Sequence, residues 1–148
     1  MAECEICAQT PRMNDDNPYF IAELSSGYAV LGWNQMYPGY TLFLGKRCVP
    51  EPHELPPDER EAFLREMSVV AEAAYRAFSP RKMNYELLGN SVSHVHWHLI
   101  PRYEDDANPR FPIWSNQAFL DAPPRTEIAP ERLREMRDAV RRELAKLR

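Results

Sequence analysis

Three of the four histidines in this chain stand at alternate positions of one short segment. The segment reads His94-Val95-His96-Trp97-His98. Side chains at alternate positions of a β-strand lie on the same face, so the three imidazoles would share one face and the apolar residues the other. Valine and tryptophan favour strands and suit a buried face. The pattern therefore predicts a strand that packs its back against a core and presents a row of histidines on its front.

The spacing of the histidines leaves three kinds of chemistry open. Neighbouring imidazoles disfavour each other's protonation, and clusters of titratable groups tend to mark functional sites, which favours nucleophilic or acid–base catalysis. Neutral imidazole is also a common ligand for zinc, copper and iron, so the row could bind a metal. A structural strip, with each ring bonded to backbone carbonyls, is the third interpretation.

The residues around this segment narrow the alternatives. A glycine, a polar residue and a serine precede the histidines at Gly89-Asn90-Ser91, and Pro101-Arg102 follows them. Upstream, residues 37–47 read Tyr-Pro-Gly-Tyr-Thr-Leu-Phe-Leu-Gly-Lys-Arg. Together these motifs, which span most of residues 28–102, resemble the histidine triad (HIT) family of nucleotide hydrolases and transferases. That family carries a His-x-His-x-His strand with apolar x, and a Pro-Gly-His-x-Leu strand that leads into a Pro-Lys-x-His turn.

The resemblance implies an enzyme that cleaves at the α-phosphate of a substituted nucleotide, such as a dinucleoside polyphosphate or an adenylate conjugate. It assigns the nucleophile to His96, which would form a covalent nucleotidyl-histidine. His98 and Ser91 would donate hydrogen bonds to phosphate, Ser91 on the leaving-group side, and His94 completes the catalytic set. This chemistry needs no metal cofactor, because imidazolium and neutral donors offset the developing charge. The leaving group and the final acceptor of the nucleotide stay open.

Two other classes of function compete with this interpretation. A metal-dependent enzyme would use the three histidines as ligands, but it would need an acidic partner or a fourth ligand, and none is evident near them in the sequence. A non-catalytic nucleotide-binding module would need no nucleophile. The presence of His96, His98 and Ser91 argues against that module.

Four further residues are candidates for binding the substrate. Asn90 stands where many HIT members have glutamine, and Gly89 would let the backbone approach the ligand closely. The family often places Asp or Asn for the ribose hydroxyls at the position of Gly32, so Asn34 could substitute. A loop asparagine that caps its own turn is the competing interpretation of Asn34. Asn84 is a second candidate for the same pocket.

The cysteines indicate a possible structural zinc site. Cys4 and Cys7 form a C-x-x-C pair, which in a cytoplasmic chain is more often a metal or redox pair than a disulfide. Some bacterial HIT members bind zinc through such a pair, a histidine after the Lys-x step and the first triad histidine. In this chain the residue after that step is Cys48, so Cys4, Cys7, Cys48 and His94 would form a closed site, with His53 as an alternative fourth ligand. Three unrelated free thiols remain the other interpretation.

The order of predicted elements indicates an α+β fold. We expect a polar, irregular lead-in over residues 1–18 and strands over 20–24, 28–33, 41–45, 83–88 and 94–100. A helix is expected to begin at Asp58, with Glu61 as its capping-box partner, and to stop at Ser79-Pro80. Residues 101–129 read as an irregular, proline-rich segment, and a last helix begins near Pro130. The prediction is one domain over residues 1–148, with a mostly antiparallel five-stranded sheet, one helix packed on it and a C-terminal helix.

The resemblance implies the same architecture and a homodimer whose two sheets join into one. The net charge of −4 and the dispersed basic residues argue against a nucleic-acid polymer as the main partner. The chain has no run of 18 apolar residues and its first residues do not resemble a signal peptide, so no membrane partner is expected and the default location is the cytoplasm.

Overall fold

The computed structural model describes residues 3–148, and five antiparallel strands form its sheet. The strands are β1 (Phe20–Glu23), β2 (Gly27–Leu31), β3 (Thr41–Gly45), β4 (Lys82–Glu86) and β5 (His96–Arg102). They lie in the order β1-β2-β3-β5-β4, so the histidine strand is flanked on both sides. The register places His98 opposite Leu42 on β3 and opposite Glu86 on β4. The predicted α+β class and mostly antiparallel five-stranded sheet are confirmed.

Within residues 3–148, four α-helices accompany the sheet, and the two long ones cover one of its faces. They are α1 (Glu5–Gln9), α2 (Pro57–Phe78), α3 (Gln117–Asp121) and α4 (Pro130–Leu147). The apolar residues of α2 and α4 pack against the side of the histidine segment that carries Val95, Trp97 and Leu99. Phe63 of α2 stacks on Phe43 of the sheet at 5.4 Å between ring centroids. The alternation of the histidine segment thus places its apolar residues in the core, as predicted.

The other face of the sheet carries the histidines between two smaller apolar clusters. The first joins the N-terminal segment to the sheet through Ile6, Met13, Phe20, Val30 and Leu44. The second joins the segment after β5 to the sheet through Tyr37, Tyr40, Ile100, Ile113 and Phe119. Leu42 packs against both clusters and faces His98 across the β3–β5 pair. The polypeptide segments before β1 and after β5 therefore form the sides of a site whose floor is the histidine strand.

Several local predictions were wrong. The start of α2 is at Pro57 after Pro56, and within the described residues no side chain caps it, so the capping box of Asp58 and Glu61 does not form. Proline suits the first turn of a helix because the amide proton it lacks has no partner there. The end of α2 is as expected: Ser79 adopts a left-handed conformation with φ of 49° before Pro80.

The two segments predicted to be irregular contain short helices. Residues 5–12 form α1 and a 3₁₀ turn, and the segment after β5 contains the 3₁₀ turn Ile113–Ser115 followed by α3. β5 begins two residues later than predicted, so His94 lies just before the strand rather than on it. Across residues 3–148, no helix combines the length and the apolar character that a membrane crossing requires.

Candidate functional site

His96 is buried on the histidine face and its ring orientation is set by the backbone. Its Nδ1 lies 2.7 Å from the carbonyl oxygen of His94. A carbonyl can only accept, so Nδ1 carries the proton and donates to it. The other nitrogen, Nε2, then keeps its lone pair. In the neutral ring this bond fixes the tautomer and makes Nε2 the nucleophilic nitrogen, and the residue is 9% exposed.

Tyr40 fixes the opposite tautomer in His98, with the ring proton on Nε2 instead of Nδ1. The Tyr40 hydroxyl lies 2.5 Å from His98 Nδ1. Burial, and after it the charge of Glu86, raise the pKa of Tyr40, so the phenol keeps its proton and donates to the ring. Burial, and then the neighbouring His96, lower the pKa of His98 from 6.5 to about 4. The neutral His98 ring therefore accepts at Nδ1 and carries its proton on Nε2, where it can donate.

Tyr40 was not among the predicted site residues, although a signal for it existed. It occupies the third position of the Pro-Gly-His motif that residues 38–40 resemble. Tyrosine, like histidine, can bring a polar hydrogen to the neighbouring ring. Its approach to His98 depends on the pairing of β3 with β5, since the hydroxyl belongs to a residue 58 positions away in sequence.

Trp114 and Glu86 form the side of the site next to His98, and both were missed. The Trp114 indole N–H donates to a Glu86 carboxylate oxygen at 2.6 Å. Its ring meets the His98 ring edge-on, with 5.5 Å between centroids, and meets Phe119 at 5.7 Å. Glu86 comes close because it stands directly opposite His98 in the β4–β5 pair. No local sequence pattern reveals this neighbourhood, because it depends on strand register and on the path of the chain after β5.

Arg102, at the end of β5, fixes that path. Its buried guanidinium donates to the Asp106 carboxylate, to the Asn84 side-chain oxygen at 2.8 Å and to the backbone oxygens of Asn108 and Phe111, each at 2.7 Å. The hydrogen bond from Arg102 holds the pKa of Asp106 below its ordinary value. This network secures the segment between β5 and Trp114. It also engages Asn84, which the sequence predicted as a ribose ligand.

The predicted phosphate-binding residues lie on the loop that joins β4 to β5. Gly89 has a φ of 73°, a left-handed conformation that glycine adopts without steric cost. Asn90 and Ser91 are exposed there, shortly before the histidines. Asn34 lies in another loop, where its side-chain oxygen accepts from the Met36 amide at 3.0 Å. That contact is the turn-capping role that competed with ribose binding.

The four predicted metal ligands come together. The ligand atoms of Cys4, Cys7, Cys48 and His94 all lie within 4.8 Å of one another. His94 Nε2 is 2.6 Å from the Gly45 carbonyl and must donate to it, which leaves Nδ1 free of a proton. Nδ1 faces the sulfurs of Cys4 at 3.4 Å and Cys7 at 3.6 Å. His53, the alternative fourth ligand predicted from the sequence, is not part of this cluster. Cys48 is the residue that joins Cys4, Cys7 and His94.

Three thiols and an imidazole in this arrangement suit a tetrahedral zinc ion. Soft thiolates and neutral imidazole are the ligands of structural zinc sites, and four protein ligands close the coordination sphere. Cys4 is the N-cap of α1 and Cys7 lies in that helix, so α1 holds the pair in place. Loss of hydration and the neighbouring Cys48 and Cys4 raise the pKa of the Cys7 thiol to about 12. A divalent cation would reverse that shift by stabilising the thiolates.

Comparison with protein families identifies the fold. The HIT domain model matches residues 17–105, more than half of the chain and including the whole sheet. The chain belongs to the HIT family. This confirms the resemblance drawn from the histidine segment and its flanking motifs.

Two curated proteins match part of the chain. An uncharacterised HIT-like protein of Methanocaldococcus jannaschii is 32% identical over 82 residues, which cover 53% of this chain and 64% of that protein. The asymmetrical bis(5'-nucleosyl)-tetraphosphatase of Schizosaccharomyces pombe is 28% identical over 93 residues, which cover 60% of this chain and 50% of that protein. The match thus spans less than two thirds of each relative.

Solved HIT structures share the fold. A histidine triad protein of Sinorhizobium meliloti superposes with a TM-score of 0.73 at 24% identity, over 84% of this chain and 87% of that one. A zinc-bound histidine triad family protein of Mycobacterium smegmatis superposes with a TM-score of 0.69 at 20% identity, over 98% of this chain and 95% of that one. The cysteine–histidine cluster of this HIT protein is compatible with a structural zinc ion.

Proposed function

We propose that this HIT protein is a nucleotide hydrolase or nucleotidyl transferase that cleaves at the α-phosphate of a substituted nucleotide, with His96 as nucleophile. The proposal rests on the opposite tautomers of two neighbouring histidines on one strand, His96 and His98. In its neutral form His96 offers a lone pair at Nε2, because the hydrogen bond to the His94 carbonyl keeps the ring proton on Nδ1. His98 offers a proton at Nε2 because its Nδ1 faces the Tyr40 hydroxyl. A nucleophile and a hydrogen-bond donor side by side suit attack on a phosphate.

The reaction would proceed in two displacements at phosphorus. In the first, the His96 Nε2 lone pair forms a P–N bond, and the bond from phosphorus to the leaving group breaks with its electron pair. His98 Nε2–H would donate to a non-bridging oxygen, together with Ser91 and Asn90 from the glycine-initiated loop. In the second, water or another acceptor attacks phosphorus, loses its proton and breaks the P–N bond. The product is a nucleoside monophosphate or its ester, and His96 is regenerated.

The substrate class rests on two arguments. The site combines a nucleophile with neutral donors, which suits a phosphate that carries a good leaving group. The yeast relative is named as a bis(5'-nucleosyl)-tetraphosphatase, which supports a dinucleoside polyphosphate as the first substrate to test. Asn34 and Asn84 remain candidates for the ribose, chiefly as donors through their amide nitrogens, because each side-chain oxygen already accepts a hydrogen bond within the protein.

The competing metal-dependent enzyme would need the triad as ligands. His94 turns its free nitrogen toward the cysteines, and His98 carries its proton on Nε2, so the three rings do not offer three free nitrogens to one metal ion. We therefore propose a structural zinc at Cys4, Cys7, Cys48 and His94 and no metal in the chemical step. Metal content of a Cys4→Ser/Cys7→Ser double variant separates the two: loss of zinc supports the structural site, and metal retained on the histidines supports the competing enzyme.

The stereochemistry at phosphorus tests the mechanism itself. Two in-line displacements retain configuration at the α-phosphorus and one inverts it. We expect retention with a chiral α-phosphorothioate substrate, and loss of turnover by several orders of magnitude in His96→Gly. Inversion, or a His96→Gly enzyme within about tenfold of the wild type, would reject the covalent mechanism.

We also propose that the protein is a homodimer. Its partner in the reaction is a small nucleotide, and we propose neither a nucleic-acid polymer nor a membrane as a partner. In the described sheet β4 is an edge strand that pairs on one side with β5, and Tyr85 on it is 47% exposed. A second copy could cover this edge, because an unpaired strand edge presents free backbone donors and acceptors. Sedimentation at micromolar concentration should show twice the 17.3 kDa of one chain. A single 17.3 kDa species would reject the dimer.

A further inference from the structure

Trp114 combines exposure with rigid placement. The residue is 36% exposed, yet its indole N–H is bound by Glu86 and its ring is packed against His98 and Phe119. Single exposed aromatics are common on proteins and need no explanation. This one is held from three directions beside a histidine of the candidate active site. A fixed, partly open aromatic surface at that place is suited to stacking against a planar ring.

The segment between β5 and Trp114 is held in place by contacts that do not involve the Trp114 side chain. The side chains of Arg102 and Asp106 are 6% and 1% exposed, and Arg102 binds the backbone at Asn108 and Phe111. Trp114 follows three residues after the last of these anchors. Anchoring restricts the segment before any ligand arrives, so little conformational entropy remains to be lost on binding. The indole is therefore preorganised rather than recruited from a flexible loop.

Glu86 determines which part of a nucleotide fits against Trp114. One of its carboxylate oxygens accepts the indole N–H, and within residues 3–148 the other accepts no hydrogen bond from the protein. A carboxylate repels phosphate and binds hydroxyl or amino hydrogens. The phosphates would thus lie toward His96 and the Gly89–Ser91 loop, while the end near Glu86 suits a neutral group with donors. A nucleoside, with its planar base and its ribose hydroxyls or exocyclic amine, has this combination.

We propose that Trp114 and Glu86 form a nucleoside subsite, in which the base stacks on the indole and the free Glu86 oxygen accepts from the ribose or from an amino group of the base. The inference rests on the proposed function, because it takes the ligand to be a nucleotide. The occupant of the subsite is a nucleoside. A dinucleoside polyphosphate has two, one on the transferred nucleotide and one on the leaving group, and either could bind there. Trp114 and Glu86 are specificity-determining residues, separate from the attacking His96.

Steady-state kinetics with two substrates test the subsite and identify the nucleoside. One substrate is diadenosine tetraphosphate, which has a base at each end; the other is an adenosine phosphoramidate with a small aliphatic amine, which has a base only on the transferred side. We expect Trp114→Leu to lower kcat/KM about 10- to 100-fold, mostly through KM, from the loss of one stacked base. A loss with both substrates places the transferred nucleoside on Trp114, and a loss only with diadenosine tetraphosphate places the leaving one there.

Matched variants separate stacking from general disturbance of the fold. Trp114→Phe keeps an aromatic face and should recover most of the loss, and Glu86→Gln should raise KM because the amide is a weaker acceptor than the carboxylate. Tyr75→Leu removes another exposed aromatic, on α2 away from the histidine face, and should change nothing. Unchanged kinetics with both substrates in Trp114→Leu, or a Trp114→Phe enzyme as impaired as Trp114→Leu, would overturn the proposal.

Binding without turnover keeps this test independent of the mechanism. The His96→Gly protein can be titrated with AMP and with diadenosine tetraphosphate by isothermal titration calorimetry, whose signal does not depend on any one tryptophan. We expect Trp114→Leu in that background to weaken binding of at least one of the two ligands about tenfold or more. Equal affinities with and without Trp114 would reject the subsite even if His96 is the nucleophile. Weaker binding without Trp114 would support the subsite even if His96 is not the nucleophile.

Discussion

Acid should destabilise this protein through His98 as the pH falls below 6.5. In the folded state burial and the neighbouring His96 hold the pKa of His98 at about 4, against an ordinary value of 6.5. The unfolded chain therefore binds a proton as the pH falls below 6.5, while the folded protein does not until about pH 4. Stability rises with pH wherever the unfolded state binds more protons. The contribution of His98 is thus complete above pH 6.5 and is lost progressively between pH 6.5 and 4.

The size of the effect follows from the two pKa values. Each unit of pKa difference corresponds to about 1.4 kcal/mol, so the shift is worth roughly 3 kcal/mol over the whole interval. Between pH 7 and pH 4.5 the linkage relation gives a loss of about 2 kcal/mol in the free energy of unfolding from this residue alone. The groups around the ring are the neutral Tyr40 hydroxyl, His96 and Glu86. A loss of about 2 kcal/mol is a large part of the stability of a domain of this size.

Urea unfolding at pH 7 and pH 4.5 measures the loss, and His98→Asn provides the matched control. The asparagine oxygen can take the place of Nδ1 as acceptor for Tyr40 but does not titrate. Loss of zinc and protonation of other groups affect both proteins, so the difference between their pH dependences isolates His98. We expect the wild type to lose about 2 kcal/mol more than His98→Asn. Equal losses would show that His98 titrates normally and that its assignment as a buried neutral donor is wrong.

Three further predictions follow from the contacts of the site. Tyr40→Phe should lower stability by about 1–2 kcal/mol, because it leaves Nδ1 of His98 without a donor, and ¹⁵N NMR of the ring should show a mixture of tautomers in place of the Nε2–H form. Unchanged ring shifts would contradict the assigned bond. Arg102→Met should cost about 3–5 kcal/mol in urea unfolding because the buried Asp106 carboxylate loses its partner, and adding Asp106→Asn should recover part of that cost. If the double variant is less stable than the single one, the pair is not coupled in this way. Protein purified without chelators should contain about one zinc per chain and lose it in Cys7→Ser, with a lower melting temperature. Elemental analysis that finds no stoichiometric metal would reject the zinc site.

The local pattern of the sequence was enough to predict the layers of the fold. Alternation of imidazoles with Val95 and Trp97 is a property of neighbouring residues, and a strand converts it directly into two faces. The spacing of apolar residues in α2 and α4 likewise reports which side of each helix is buried. The start of α2 was predicted wrongly because the capping pattern at Asp58 competed with Pro56 and Pro57, and proline needs no cap. Helix α1 was missed because so short a helix depends on its contacts with the sheet.

The sequence by itself determined the histidine face, the family and the four residues of the cysteine–histidine cluster, because each depends on motifs whose residue types and spacing can be read along the chain. Only the tertiary structure decided the state of each ring. His94 leaves the strand and turns to the cysteines, and His98 meets Tyr40 across a strand pair. Trp114 and Glu86 approach only because Arg102 fixes the chain after β5 and because β4 and β5 pair in one register. Strand register and the buried environment of a group depend on residues far apart in sequence, and these set which nitrogen of an imidazole holds its proton.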